Sequence, residues 1–195
     1  SCGGCILVCP KNAFTEKEKV IGIVQEGIIN QVEIFTGILN IGEPSGIPII
    51  KNLLNKNSLY SERLTFIDCP PGSACIVMES IKDADFCILV AEPTIFGVHN
   101  LNMVYDLVKL YNKPLGVVLN KYLDEDNPAE QFCLENNIMI LGKIPYDNNL
   151  GTLNSNAEIA VYKDEKYWGL FSNILRTVNS NAEIAVYKDE KYWGL

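Results

Sequence analysis

Leu64 to Cys75 reads LTFIDCPPGSAC, an apolar run that closes on an aspartate and is followed, one cysteine later, by Pro-Pro-Gly. A carboxylate carried to the end of a buried strand is costly unless it meets a cation or hydrogen-bond donors, and Asp68 there suits a water of hydrated Mg²⁺. Pro70 and Pro71 fix φ and stop strand pairing, while Gly72 lets a backbone amide approach a terminal phosphate closely. The plainer alternative is a strand ending in an Asp-capped turn. Two later apolar runs end on residues of related use. GVVLNK finishes with Asn120 and Lys121, where an amide side chain can donate to and accept from a purine edge and a lysine stem can pack along the base. ILGKIPYDNN puts Pro145 and Asp147 past the next run, placed to wall a base pocket. Glu92, Pro93 and Thr94 in LVAEPT either line the same site or cap the helix that follows, and His99, the single histidine, is expected at the surface or at that cap.

A second constellation is SCGGCILVCP at the start of the sequence, which reads C-x2-C-x3-C-P through Cys2, Cys5, Cys9 and Pro10. The bacterial ferredoxin run is C-x2-C-x2-C-x3-C-P, so these three are candidate metal ligands with one ligand of the run missing. On that pattern Cys2 and Cys5 share one cluster and Cys9 belongs to a neighbouring one. Three thiolates complete neither a 4Fe-4S site nor a zinc site, which needs a fourth donor. Of the remaining cysteines, Cys87 and Cys133 lie in apolar contexts and are expected to pack as small hydrophobes, while Cys69 and Cys75 flank the Pro-Pro-Gly loop.

The elements that must position these residues follow from periodicity. Val20 to Ile41 nearly alternates apolar and polar residues, which predicts a β-hairpin turning at Gly27, and IPIIKNLLNK reads as a short helix. From Leu64 onward, the apolar runs LTFID, FCILVAE, LGVVLN and IMILGKI alternate with the helix-length segments ACIVMESI, GVHNLNMVYDLVKLY and NPAEQFCLENN. Short continuous apolar runs suit strands buried on both faces, and helical crossovers between them give a doubly wound parallel α/β sheet. Ligands in such sheets bind beyond the carboxyl ends of the strands, where the candidate residues fall. The segment NSNAEIAVYKDEKYWGL occurs at Asn154 to Leu170 and again, unchanged, at Asn179 to Leu195. Two copies are too few for a solenoid, and the second is expected to be dispensable.

The chain has 195 residues, 48% hydrophobic and 21% charged, which fits one main globular domain. A formal charge of −8 argues against a broad nucleic-acid footprint, so a phosphate site must be local. No apolar run reaches the roughly 18 residues of a membrane span and no secretory leader pattern opens the sequence, so the expected compartment is the cytoplasm.

Taken in order, FIDCPPG, DADFCILVAEPTIFGVHNL, KPLGVVLNK and ILGKIPYD resemble the MinD/ParA-like P-loop ATPases, in the branch that carries an inserted 4Fe-4S ferredoxin domain. The resemblance implies a parallel α/β sheet that binds ATP with Mg²⁺, a homodimer that sandwiches the nucleotide, and a redox or Fe-S partner protein. It implies a Walker B role for Asp68, a γ-phosphate-sensing amide at Gly72 and base contacts from Asn120, Lys121, Pro145 and Asp147. The glycine-rich lysine loop G-x-x-x-x-G-K-[ST] that cradles phosphate in this family is not in the sequence, which therefore reads as an N-terminally truncated fragment with weak or absent ATP affinity and no expected ATPase activity of its own. The expected units are a partial ferredoxin-like segment with its hairpin at 1–45, a nucleotide-binding part at 46–178 and the duplicated tail at 179–195. The alternative is a ferredoxin-type electron or Fe-S cluster carrier without ATPase activity.

Overall fold

A computed structural model describes residues 3–29, 32–57, 64–73, 75–123, 127–176 and 183–188, which leaves Cys2 and most of the duplicated tail outside the described residues. In chain order the elements are a helical turn α1 (Gly4–Leu7), the hairpin strands β1 (Gly22–Ile29) and β2 (Val32–Leu39), and helix α2 (Ile47–Asn57). There follow β3 (Thr65–Cys69), α3 (Cys75–Ile81), β4 (Phe86–Ala91), α4 (Ile95–Leu110), β5 (Leu115–Tyr122), α5 (Pro128–Glu135) and β6 (Ile140–Pro145). The chain continues through α6 (Asn148–Ser155), a 3-10 turn at Ala160–Tyr162, α7 (Glu165–Leu175) and β7 (Glu183–Lys188).

The central strands carry apolar side chains on both faces, and the helices cover both. Cys87, Leu89 and Ala91 of β4 and Val117 and Leu119 of β5 meet α3, α4 and α5 through Val77, Ile81, Leu101, Val104, Val108, Ala129 and Cys133. On the opposite face Ile88 and Val118 pack with Leu141 and with Ile174 of α7. This two-sided cover is the doubly wound arrangement that the apolar runs predict. The strands form one parallel sheet in the order β3-β7-β4-β5-β6.

Two strands differ from the expectation. β3 lies at the edge of the sheet, and although Cys69 is buried, Phe66 and Asp68 are exposed, so the strand is covered on one face only. β7 comes from the second copy of the repeat, which the sequence suggested was dispensable but which here occupies a position between β3 and β4. The hairpin is present, but Gly27 sits inside β1 opposite Ile34, and Ile29, the last residue of β1, pairs with Val32, the first of β2. The glycines that matter are Gly22 and Gly37, because a Cβ on either would press into Ile49 of α2, and one at Gly37 would also meet Leu53. Their lack of side chains lets α2 lie directly on the hairpin.

Leu89 is 1% exposed and Ile28 is 72% exposed. Leu89→Ala is expected to lower unfolding free energy by about 2–5 kcal/mol and Ile28→Ala by less than about 0.5 kcal/mol, read from urea midpoints at constant m.

Candidate functional site

The carboxyl ends of β3, β4 and β5 share one rim of the sheet, and the loops that leave them carry most of the candidates. Asp68 is the penultimate residue of β3, one step earlier than its place in the apolar run implied, level with Val186 of β7 and, beyond it, Ile88 of β4. Its exposed side chain lines a cavity of about 890 Å³ between β3, the β2 strand and α2, whose walls include Gly37, Ile49, Leu53 and Pro70. Gly72 follows at φ 97°, a left-handed conformation that side chains other than glycine's resist, with open space where a Cβ would stand. The Pro-Pro-Gly loop is thus set by backbone constraint.

At the end of β4, Thr94 proves to be a helix cap: its Oγ1 accepts the Gly97 amide at 2.9 Å and opens α4. Glu92, the other residue left open there, pairs with Lys121 at 2.6 Å, which ties the end of β4 to that of β5. Lys121 has a φ of 53° at the strand end, beside half-buried Asn120. The next turn is fastened by Tyr122 and Lys143, which donate to the two Glu130 oxygens at 3.0 and 2.6 Å, while the Lys143 ammonium also lies 4.4 Å from the Tyr122 ring centre. Those donors hold the Glu130 carboxyl below its usual range, with the Lys143 hydrogen bond the largest cause. His99 is exposed on α4, as expected.

Pro145 is the exposed last residue of β6, and two residues on Asp147 serves as the N-cap of α6, accepting from the Asn149 and Leu150 amides at 2.8 and 3.4 Å. Its second oxygen takes Lys166 at 2.9 Å and Tyr167 at 2.8 Å. These donors, Lys166 first, depress the Asp147 carboxyl far below its ordinary value and raise the Lys166 ammonium. Lys166 and Tyr167 belong to the first copy of the repeat, so this copy is built into the fold. The cluster escaped the sequence reading because its partners lie about twenty residues apart, and the Asp-x-Asn capping pattern was its only local sign.

The cysteine segment folds as a loose turn. Cys5 is exposed, Cys9 is half-buried, and Cys2 lies outside the described residues. The Ala13 amide donates to the Cys9 sulfur at 3.4 Å, and this contact, with a further one from Lys11, lowers the thiol pKa. No group of three or more His, Cys, Asp or Glu suited to a metal gathers among the described residues. Cys87 and Cys133 are buried in the core as expected, their thiols each pushed up to about 11 by desolvation. Cys69, buried under the rim, is pushed up to about 12, again mainly by burial. No helix among the described residues is long and apolar enough to cross a membrane.

Comparison with known proteins agrees with this architecture. No protein-family model matches the chain. The fold is that of MinD-like α/β proteins: it matches the MinD cell division protein of Aquifex aeolicus with a TM-score of 0.56 and 19% identity, over 67% of this chain and 59% of that one. In sequence the chain is 28% identical over 121 residues to the uncharacterized protein MJ0579 of Methanocaldococcus jannaschii, covering 62% of this chain and 45% of the relative. It is 29% identical over 100 residues to MJ0578 of the same organism, covering 51% of this chain and 36% of that protein. The chain therefore spans less than half the length of either curated relative.

Two outcomes follow for the thiols. Cys5, Cys9 and Cys75 should react with iodoacetamide in the native protein at pH 8, and Cys69, Cys87 and Cys133 only after unfolding, as read by mass spectrometry. Because the folded state holds the Cys69 proton from its ordinary 9.0 up to about 12, the unfolded chain loses protons first over that window. Stability should fall as pH rises through it, by at most about 1.4 kcal/mol per pH unit from this thiol, and Cys69→Ala should flatten the fall.

Proposed function

We propose that the chain is part of a MinD-like protein that binds and hydrolyses ATP, with Asp68 at the metal, the Pro70–Gly72 loop at the terminal phosphate, and Asn120 and Lys121 at the base. The observation that carries this reading is the shared rim: an exposed carboxylate, a glycine at positive φ and an amide–lysine pair all stand at the carboxyl ends of parallel strands. That is where open α/β sheets take their ligands.

Oxygen donors such as Asp68 suit Mg²⁺, which takes one or two carboxylates and keeps several waters. When bound with nucleotide, the ion would neutralise charge on the β and γ phosphates. Asp68 would hold the ion's water in place, and the Gly72 amide would donate to a γ-phosphate oxygen. Loss of that phosphate would release the Pro-Pro-Gly loop and change the surface offered to a partner, including a second copy in a nucleotide-sandwiching dimer. Lys121 is already neutralised by Glu92, so it packs along a base and does not draw phosphate. The sequence has no glycine-rich lysine loop, so these residues alone bind ATP weakly and turnover belongs to a protein that also supplies that loop.

One observation favours the carrier alternative, namely the backbone donors around the Cys9 sulfur, which stabilise a thiolate. Cys2, Cys5 and Cys9 do not fill a four-thiolate cluster, and no step is assigned to one.

Titration of Mg²⁺-ATP into the full chain, followed by amide NMR shifts, tests the nucleotide reading. Saturating shifts at Gly72, Asn120 and Lys121 are expected, with a Kd on the order of millimolar, and Asp68→Asn should abolish the difference between ATP with and without Mg²⁺. Absence of shifts at all three residues, or a magnesium effect that survives Asp68→Asn, would overturn it.

A further inference from the structure

Among the described residues the hairpin β1–β2 is a two-stranded sheet of its own, and α2 covers one of its faces. Gly22 and Gly37 turn toward Ile49 of α2, and Glu26 reaches Lys56 of the same helix at 2.7 Å. Strand alternation therefore sends the neighbouring residues to the opposite face. Across that outer face Ile23 stands opposite Ile38, Gly27 opposite Ile34 and Ile29 opposite Val32. The remaining pair is Gln25 with Thr36, so the face carries no charged residue along its whole length. Its five aliphatic residues are between 44% and 62% exposed.

Five half-open aliphatic residues on one face make an apolar patch on the order of 500 Å², at the upper end of what a soluble monomer shows, and such patches mark interaction surfaces. Val32 and Ile34 also border the Asp68 cavity, but Ile23, Ile29 and Ile38 stand clear of it. Charge decides what kind of partner fits. A lipid surface calls for free cations beside the apolar residues, yet Lys56 is neutralised by Glu26 and Lys19 by Glu43. Two copies of this chain, each with a formal charge of −8, repel over most of their surface and meet most readily through an uncharged part. The face also has a hollow that matches its own knobs: a Cβ at Gly27 would meet nothing within 4 Å. A branched side chain from an identical face fills such a hollow, and a two-fold axis makes both copies do so at once. Two faces together bury on the order of 1,000 Å², the least that a specific contact needs.

We infer that the outer face of the hairpin is a self-association surface, on which a second copy of this chain packs face to face through Ile23, Ile29, Ile34 and Ile38, with an aliphatic side chain seated over Gly27. Sheets stacked in this way lie about 10 Å apart, so the side chains of the two faces interdigitate. An interface of this size gives a weak, reversible pair. The contact is separate from the rim at the carboxyl ends of the parallel strands and needs no nucleotide. It stands or falls independently of the ATP-binding reading.

Sedimentation of the full chain, without nucleotide or metal, should show a reversible monomer–dimer equilibrium with a Kd on the order of ten to a hundred micromolar. Gly27→Lys places a side chain in open space, so it leaves the packing of the monomer alone but blocks the hollow, and should weaken the dimer at least about tenfold. Ile29→Lys should do the same. Ile28→Lys, at a similarly exposed neighbour whose side chain leaves by the other face, should not. In a mixture of isotopically labelled and unlabelled chains, intermolecular NOEs should connect isoleucine methyls of the two hairpins. Vesicles of neutral or of anionic lipid should leave the chain in solution. A chain that stays monomeric up to about 1 mM, pairing that appears only with Mg²⁺-ATP, or equal weakening by Ile28→Lys overturns the proposal. So do intermolecular NOEs confined to other surfaces, and so does binding to the vesicles. If the lysine variants fail to fold, the concentration dependence and the intermolecular NOEs of the unaltered protein decide.

Discussion

Along β4, Cys87, Leu89 and Ala91 face one way while Phe86, Ile88 and Val90 face the other, and neither set tolerates water. The need to cover both faces dictates the rest of the architecture. A strand with one apolar face would accept one helix layer, but β4 and β5 require helices above and below, and parallel crossovers supply them. Once α4 and α5 lie on one face and α7 on the other, the strand ends come into line. The loops leaving them converge because the sheet that carries them is rigid.

At that rim polar groups are spent in two different ways. Glu92 with Lys121, and Glu130 with Tyr122 and Lys143, bind one loop to the next and are satisfied within the chain. Asp147 goes further, since both its oxygens serve the junction of α6 and α7. Asp68 stands exposed on a cavity wall, next to the last residue of a strand that is covered on one face only. Partly exposed ion pairs add little to stability, so the value of these pairs lies in loop placement.

The core strands were legible in the sequence because continuous apolar runs have few other uses, and FCILVAE and LGVVLN correspond to β4 and β5 nearly residue for residue. Cys87 and Cys133 were legible for the same reason. Gly27 was misplaced because glycine marks a turn only where the backbone needs its freedom, and inside β1 it pairs as an ordinary strand residue. The Glu92–Lys121 pair depends on residues brought together by the sheet, which no local pattern reports, and the Asp147 cluster left only its capping pattern as a local sign. β7 was the least legible of all, since an identical stretch a little upstream folds differently and only the partners available at each place tell them apart.

Gly22 and Gly37 matter beyond the hairpin in which they sit. Their bare backbones allow α2 to approach until Ile49 and Leu53 touch the strand, and those same two residues line the cavity that Asp68 also lines. A methyl group added at Gly37 would press on Ile49 and Leu53, and one at Gly22 on the Ile38 carbonyl and Ile49, so the lining of the cavity depends on both positions staying bare.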